Sequence, residues 1–311
     1  YFSWRTYYHN IYIANYIIEH QDEITNATND EIRQMVGESY MMRAYCHFLL
    51  VNLYAEPYTH CVPSETRGVP MQLKADVNAI PGSSSVETVY QQILNDIDEA
   101  EKYLNINKWE EGKNYRFNYP SAKALRARVL LYMGNWQAAY NEATATLELR
   151  NELEDMNTSS TLPNSYKSVE SIVALERFSS NMYTVISAPP SSFISLYRSG
   201  DQRRTKFYKR VTSSTYSLLK GGSDDFSSSF RTSEIYLIAA EAAARMGHTS
   251  DAIDHLLPLM QKRLNTSAYN TTLNLINNMS EEELINEVMD EKSFNLVSKS
   301  EISSSSAKGI S

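Results

Sequence analysis

The sequence has little cysteine, no block of basic residues and no long apolar run. Two cysteines in 311 residues, Cys46 and Cys61, cannot build a disulfide framework. Cys46 sits in a helical pattern and reads as a buried thiol. The formal net charge is −8, and no stripe of Lys and Arg interrupts it. That excludes a phosphate-tracking surface, and nucleic acid with it. No segment approaches the ~18 apolar residues of a membrane-crossing helix. Missing too are HExxH, any Cys/His cluster with zinc spacing, the G-x-S-x-G elbow, the phosphate-binding loop and the dinucleotide glycine fingerprint. His248 and His255 share a helix face, but no carboxylate completes a metal site there, so neither metal nor cofactor is indicated. Asp224-Asp225, in a Gly/Ser loop, is a candidate for a cation, but its plainer reading is a solvated loop. The chain opens at Tyr1, already in a helical pattern, which implies a processed or missing N-terminus.

What is abundant is tyrosine: 22 Tyr against 9 Phe and 3 Trp. A tyrosine offers a flat apolar face and a polar tip, which suits helix seams and also sugar or protein contacts.

Helical periodicity dominates. Residues 4–18 carry a stripe of Tyr8, Ile11, Ile13, Tyr16 and Ile17. A second helix spans 30–54, with Met42, Tyr45, Leu49 and Leu53 marking one face and Pro57 beyond its end. After a proline-rich loop at 55–83, Ser84 reads as an N-cap with Glu87 as its capping-box partner. Val86, Tyr90, Ile93, Ile97 and Leu104 line the helix that follows. Pro120 fits the first turn of the next. Residues 151–230 are dense in Ser, Thr, Asn, Gly and Pro, and predict loops with a few short strands such as 171–175. Helices resume at 232–245, 250–263 and 280–294, and the tail at 303–311 is Ser-rich.

Two stretches repeat one arrangement. Met133-Gly134 matches Met246-Gly247; an alanine follows each glycine by five residues (Ala139, Ala252), and another precedes each by seven (Ala127, Ala240). This is the residue logic of a tetratricopeptide-like helix pair. The glycine permits the left-handed cap that ends the first helix, and the alanines let the two helices cross closely. Pro258 is expected to kink or shorten the second copy's partner helix. The copies lie too far apart for a tandem solenoid of ~34-residue repeats, so helix pairs are distributed and loops between them must form something else.

Four segments in this order carry a resemblance: Trp4-x₃-Tyr8-x₂-Ile11-x₃-Asn15, then GESYMMRAYCHFLLVNLYAEPY at 37–58, SAKALRARVLLYMGNWQAA at 121–139, and RTSEIYLIAAEAAARMG at 231–247. Together they resemble the SusD/RagB family of outer-membrane nutrient-binding lipoproteins of Bacteroidetes. Glu38, Arg43, Ala44, Tyr54 and Pro57 stand where that family has a Glu-x₄-Arg-Ala helix and its closing turn. Asp201 and Arg203 stand in a segment similar to its Asp-x-Arg. Departures are Ala55 for the usual Gly, no lipidated cysteine, and Asp290-Glu291-Lys292 in place of an acidic-Arg-Arg run.

The resemblance implies a mainly α fold forming one SusD-like domain over 1–311. Its helical scaffold covers about 1–54, 84–150 and 231–296, and a loop-rich binding region about 151–230. It implies a non-catalytic protein held at the outer cell surface by a lipid, passing oligosaccharides to a TonB-dependent (SusC-like) transporter. Sugar rings stack C–H faces on aromatics while their hydroxyls need amides or carboxylates. The candidates are therefore Phe178 and Tyr183 for stacking and Asn181 for hydrogen bonding, with Trp4 and Trp109 secondary. The plainer reading of each aromatic is packing on the scaffold. Two other functions fit an all-helical chain: a tetratricopeptide scaffold binding peptides, and a helical glycosidase with facing carboxylates.

Overall fold

The computed structural model describes residues 2–176, 191–213, 215–219 and 226–296. It is mainly helical with three two-stranded antiparallel sheets among the described residues. By contact the chain divides into two compact units: Tyr1–Trp109 with Phe117–Glu142, and Glu110–Arg116 with Ala143–Ser311.

In the first unit, α1 (Phe2–Glu19) buries Ile11, Ala14 and Asn15. The expected stripe is only partly the buried one, since Ile13 and Tyr16 face solvent. Helix α2 (Asn29–Tyr54) starts at a capping box, in which Thr28 and Glu31 satisfy each other's backbone N–H groups. Its expected face is also corrected: Met42, Tyr45 and Leu49 are half-buried and Leu53 is exposed, while Met41, Ala44, Phe48 and Val51 are inside. Helices pack on α2 from several sides, so apolar residues ring it and no single stripe identifies its core.

Strands β1 (Arg67–Pro70) and β2 (Ser83–Ser85) pair with Arg67 opposite Ser85. Helix α3 (Val86–Tyr103) follows directly. Its cap is Ser85, whose Oγ accepts the Thr88 N–H at 3.2 Å, one residue later than the spacing suggests. The face Val86, Tyr90, Ile93, Ile97 and Leu104 is buried as expected. Helix α4 (Tyr119–Tyr132) carries Pro120 in its first turn. It turns back through Gly134, at φ 74°, into α5 (Trp136–Leu149), whose first half belongs to this unit. Lys123 on α4 reaches Glu142 on α5 at 3.5 Å.

The second unit pairs β3 (Ser171–Glu176) with β6 (Phe226–Arg231), and β4 (Tyr208–Arg210) with β5 (Tyr216–Leu218). Two short helices, α6 (Ser191–Ser195) and α7 (Arg203–Lys206), lie between. Then come α8 (Thr232–Arg245), α9 (Thr249–Arg263), α10 (Thr266–Ile276) and α11 (Glu281–Leu296). Gly247, at φ 75°, repeats the turn of Gly134 between α8 and α9. Helix α9 runs through Pro258 for another turn, so the proline does not shorten it. Met156, Ile194, Tyr197, Phe207, Tyr208 and Phe294 form a core here.

Ala127, Ala139, Ala240 and Ala252 are each 0% exposed. Each sits on a helix joined to its partner through the glycine turn. The small side chains are thus all inside, as the repeat requires, and α8 packs on α9.

Candidate functional site

Of the predicted binding residues, Phe178, Asn181 and Tyr183 lie outside the described residues, as does Asp224-Asp225. Trp109 is half-buried, and its indole N–H donates to the Phe117 carbonyl at 3.0 Å, pinning the loop that leads into α4. Trp4 is half-buried on α1. Its ring centroid is 5.0 Å from Tyr8 and 4.9 Å from Tyr54, with the Trp4 and Tyr54 planes 79° apart.

Helix directions explain this grouping. Asn15 meets Arg43 and Trp4 meets Tyr54, so α1 runs antiparallel to α2. Arg43 meets Asp96 and Asn52 meets Tyr90, so α3 is antiparallel to α2 as well. Gln34 meets the Phe117 carbonyl and Phe48 meets Tyr132, so α4 runs parallel to α2. The starts of α1, α3 and α5 and the ends of α2 and α4 therefore share one end of the unit.

That end is aromatic. Beside Trp4, Tyr8 and Tyr54, a ladder runs from Tyr132 to Phe48 at 5.2 Å, to Tyr90 at 6.2 Å and to Tyr58 at 4.9 Å. Trp136 stands at the Gly134 turn near Thr59. Phe48 and Tyr90 are buried, Tyr58 and Trp136 half-buried, and Tyr54 is 47% exposed. The Tyr8 hydroxyl donates to the Pro70 carbonyl at 2.6 Å and the Tyr90 hydroxyl to Asn52 at 3.1 Å. Burial pushes the Tyr8, Tyr58 and Tyr90 phenols up, so they stay protonated donors. Sequence reasoning nominated only Trp4 of this group. The others come together through helix ends distant in sequence, and the excess of tyrosine was the one available signal.

The 71–84 connection itself forms an open groove of about 470 Å³, lined by Leu73, Ile80, Gln72, Lys74, Asp76 and Ser84 among others. Asn15 clasps its base, donating to the Gln72 and Lys74 carbonyls at 3.0 and 3.1 Å, and Glu19 accepts the Ala75 N–H at 3.2 Å. The lining holds polar groups but no aromatic ring, so it can hydrogen-bond a ligand without stacking it.

The charged motif residues that carried the resemblance build the fold. Arg43 binds Asp96 bidentately at 2.9 and 2.5 Å and also donates to Asn15, all three out of water. Arg203 is fully buried between Asp201 and Glu291, with its guanidinium over the Tyr197 and Phe294 rings. Lys292 pairs with Glu241. The Glu291-Lys292 departure is thus a pair of packing contacts. Arg263 pairs with Glu170, both fully buried. Among the described residues no group of three or more His, Cys, Asp and Glu is placed to hold a metal.

Residues 1–131 match a SusD-like family model described as starch-binding, associating with outer membrane, and residues 177–298 match the SusD family model. This chain belongs to the SusD/RagB family. A SusD-like protein, P38, of Formosa agariphila is 31% identical over 151 residues. That match covers 47% of this chain and 26% of the relative, so it spans about a quarter of that protein. A SusD superfamily protein from Bacteroides thetaiotaomicron superposes with a TM-score of 0.78 at 22% identity, over 94% of this chain and 72% of that one. A SusD-like carbohydrate binding protein from Bacteroides vulgatus gives 0.75 at 20% identity, over 95% and 67%. The surface glycan-binding protein A of Bacteroides uniformis gives 0.64 at 15%, over 95% and 73%. At these identities the superpositions establish the SusD fold. Among the described residues no helix is long and apolar enough to cross a membrane.

Proposed function

We propose that this SusD-family chain binds oligo- or polysaccharide at the outer cell surface without catalysing its cleavage, and delivers it to a TonB-dependent transporter. The observation that carries the reading is the match of residues 1–131 to a model described as starch-binding and associating with outer membrane. A lipid on the protein's N-terminus would hold it there. Phe178 and Tyr183 would stack on sugar rings and Asn181 would orient hydroxyls, with Trp4 and Trp109 as further aromatic contacts.

The test is affinity electrophoresis of the purified chain through gels containing single plant, algal or host polysaccharides. Retardation in at least one gel, with that glycan's chain length unchanged after overnight incubation, is expected. Uniform migration across the panel would reject binding, and shortened glycan would reject the non-catalytic assignment. Co-purification from outer membranes with a transporter barrel is expected, and its failure would remove the delivery step alone.

A further inference from the structure

We infer that the aromatic end of the first unit, which carries the Trp4–Tyr54 pair and also Tyr58 and Trp136, is a stacking site for a neutral hexopyranose residue of an oligosaccharide. The inference rests on the glycan-binding reading above and places a contact far in sequence from Phe178 and Tyr183.

Three observations support it. First, ring area is accessible at this one end: Tyr54 is 47% exposed, and Trp4, Tyr58 and Trp136 are half-buried. Secondly, the rings are held in place before any ligand arrives. Trp4 lies 5.0 Å from Tyr8, whose hydroxyl is anchored to the Pro70 carbonyl, and Tyr58 lies 4.9 Å from the buried Tyr90, anchored to Asn52. Little rotamer freedom is left to lose on binding. Thirdly, the Trp4 and Tyr54 planes stand 79° apart. A sugar lying flat on one ring therefore meets the other ring edge-on, which favours a residue with axial C–H bonds on one face.

Exposed polar residues adjoin the rings in sequence: Arg5 follows Trp4, Glu56 stands two residues beyond Tyr54, Thr59 follows Tyr58, and Asn135 precedes Trp136. A net charge of −8 disfavours a polyanionic glycan, so the occupant is a neutral sugar.

The test is isothermal titration of the full chain with malto-, cello-, laminari- and manno-oligosaccharides. For whichever series binds, Tyr54→Ala is expected to raise Kd about tenfold while Tyr54→Phe stays near wild type, as aromatic contact area predicts. A second measurement uses the wild-type chain with all three indoles; saturating ligand is expected to shift its tryptophan fluorescence and protect it from acrylamide, and Trp4→Phe, which keeps an aromatic face at the site, is expected to lose Trp4's share of that change. This reports on the site even if Tyr54→Ala folds poorly. Unchanged Kd in Tyr54→Ala, or a silent Trp4 with binding intact, would overturn the inference and leave the glycan-binding reading standing. No binding by the wild-type chain to any series, together with uniform migration in the polysaccharide gels, would remove both.

Discussion

Arg203 and Glu291 meet in a fully buried bidentate ion pair, the Nη1 and Nη2 atoms reaching the two carboxylate oxygens at 2.6 and 2.9 Å. Asp201 closes the other side of the guanidinium at 2.7 Å. One charge thus ties the segment before α7 to the middle of α11. Neutralising Glu291 leaves Arg203 paired with Asp201 but weakens two charge-assisted hydrogen bonds, a loss of about 2 kcal/mol. Glu291→Gln is expected to lower the unfolding free energy from urea titration by that amount. The exposed neighbour change Ser293→Ala should leave it within about 0.5 kcal/mol. Equal unfolding free energies for the two variants would show the pair to be energetically idle.

The two glycine turns should not be equally sensitive. Both have φ near +75°, where an L side chain costs about 1–2 kcal/mol. At Gly134 an added Cβ would also sit 3.2 Å from the Thr59 methyl, whereas at Gly247 the nearest atom is 3.7 Å away. Gly134→Ala should therefore destabilise more than Gly247→Ala by denaturant titration. The reverse order would mean that the turn at Thr59 relaxes freely.

The helix crossings have their own signature. Ala127 and Ala240 are 0% exposed. Enlarging either to Leu should cost about 1–3 kcal/mol through overpacking. The exposed Gln137→Leu is the control on the same helix pair. If Ala127→Leu melts with the wild type, the crossing is looser than its burial indicates.

A pH effect follows from His47. It is 1% exposed, and burial, aided by the nearby Arg43 charge, pushes its pKa down from 6.5 to about 4. The unfolded chain takes up this proton near 6.5 and the folded chain only near 4, so acid favours unfolding. The stability this histidine contributes is fully present above pH ~6.5 and lost as pH falls through about 4. The gap corresponds to about 3 kcal/mol. His47→Met should flatten the stability profile between pH 6.5 and 4 relative to wild type. Parallel profiles would rule out His47 as the titrating group.

Much of the scaffold was legible in the sequence because its signals are local. The Gly134 and Gly247 turns, the four alanines, Pro120 and the buried face of α3 each follow from spacing within a helix or two. The cap of α3 was misplaced by one residue because β2 is made of three serines, with no alternation to mark it. Helix α10 was missed because its Thr- and Asn-rich turns give little apolar rhythm, though Asn265 caps it through the Ala268 N–H at 2.9 Å. The ion pairs of Arg43, Arg203 and Arg263 join residues far apart in the chain, and pattern reading has no access to such partners. The aromatic end was hidden for the same reason: Trp4, Tyr54, Tyr58 and Trp136 become neighbours only when five helix ends converge.

The clasp of Asn15 on the 71–82 connection has a practical consequence. Asn15 grips two loop carbonyls on one side and accepts from Arg43 on the other, while Arg43 holds Asp96. The base of the loop is therefore stapled to three helices, yet Val77 and Ile80 at its crest are 76% and 96% exposed. A fluorophore or epitope tag grafted between those two positions would ride on the molecule without tugging at its interior.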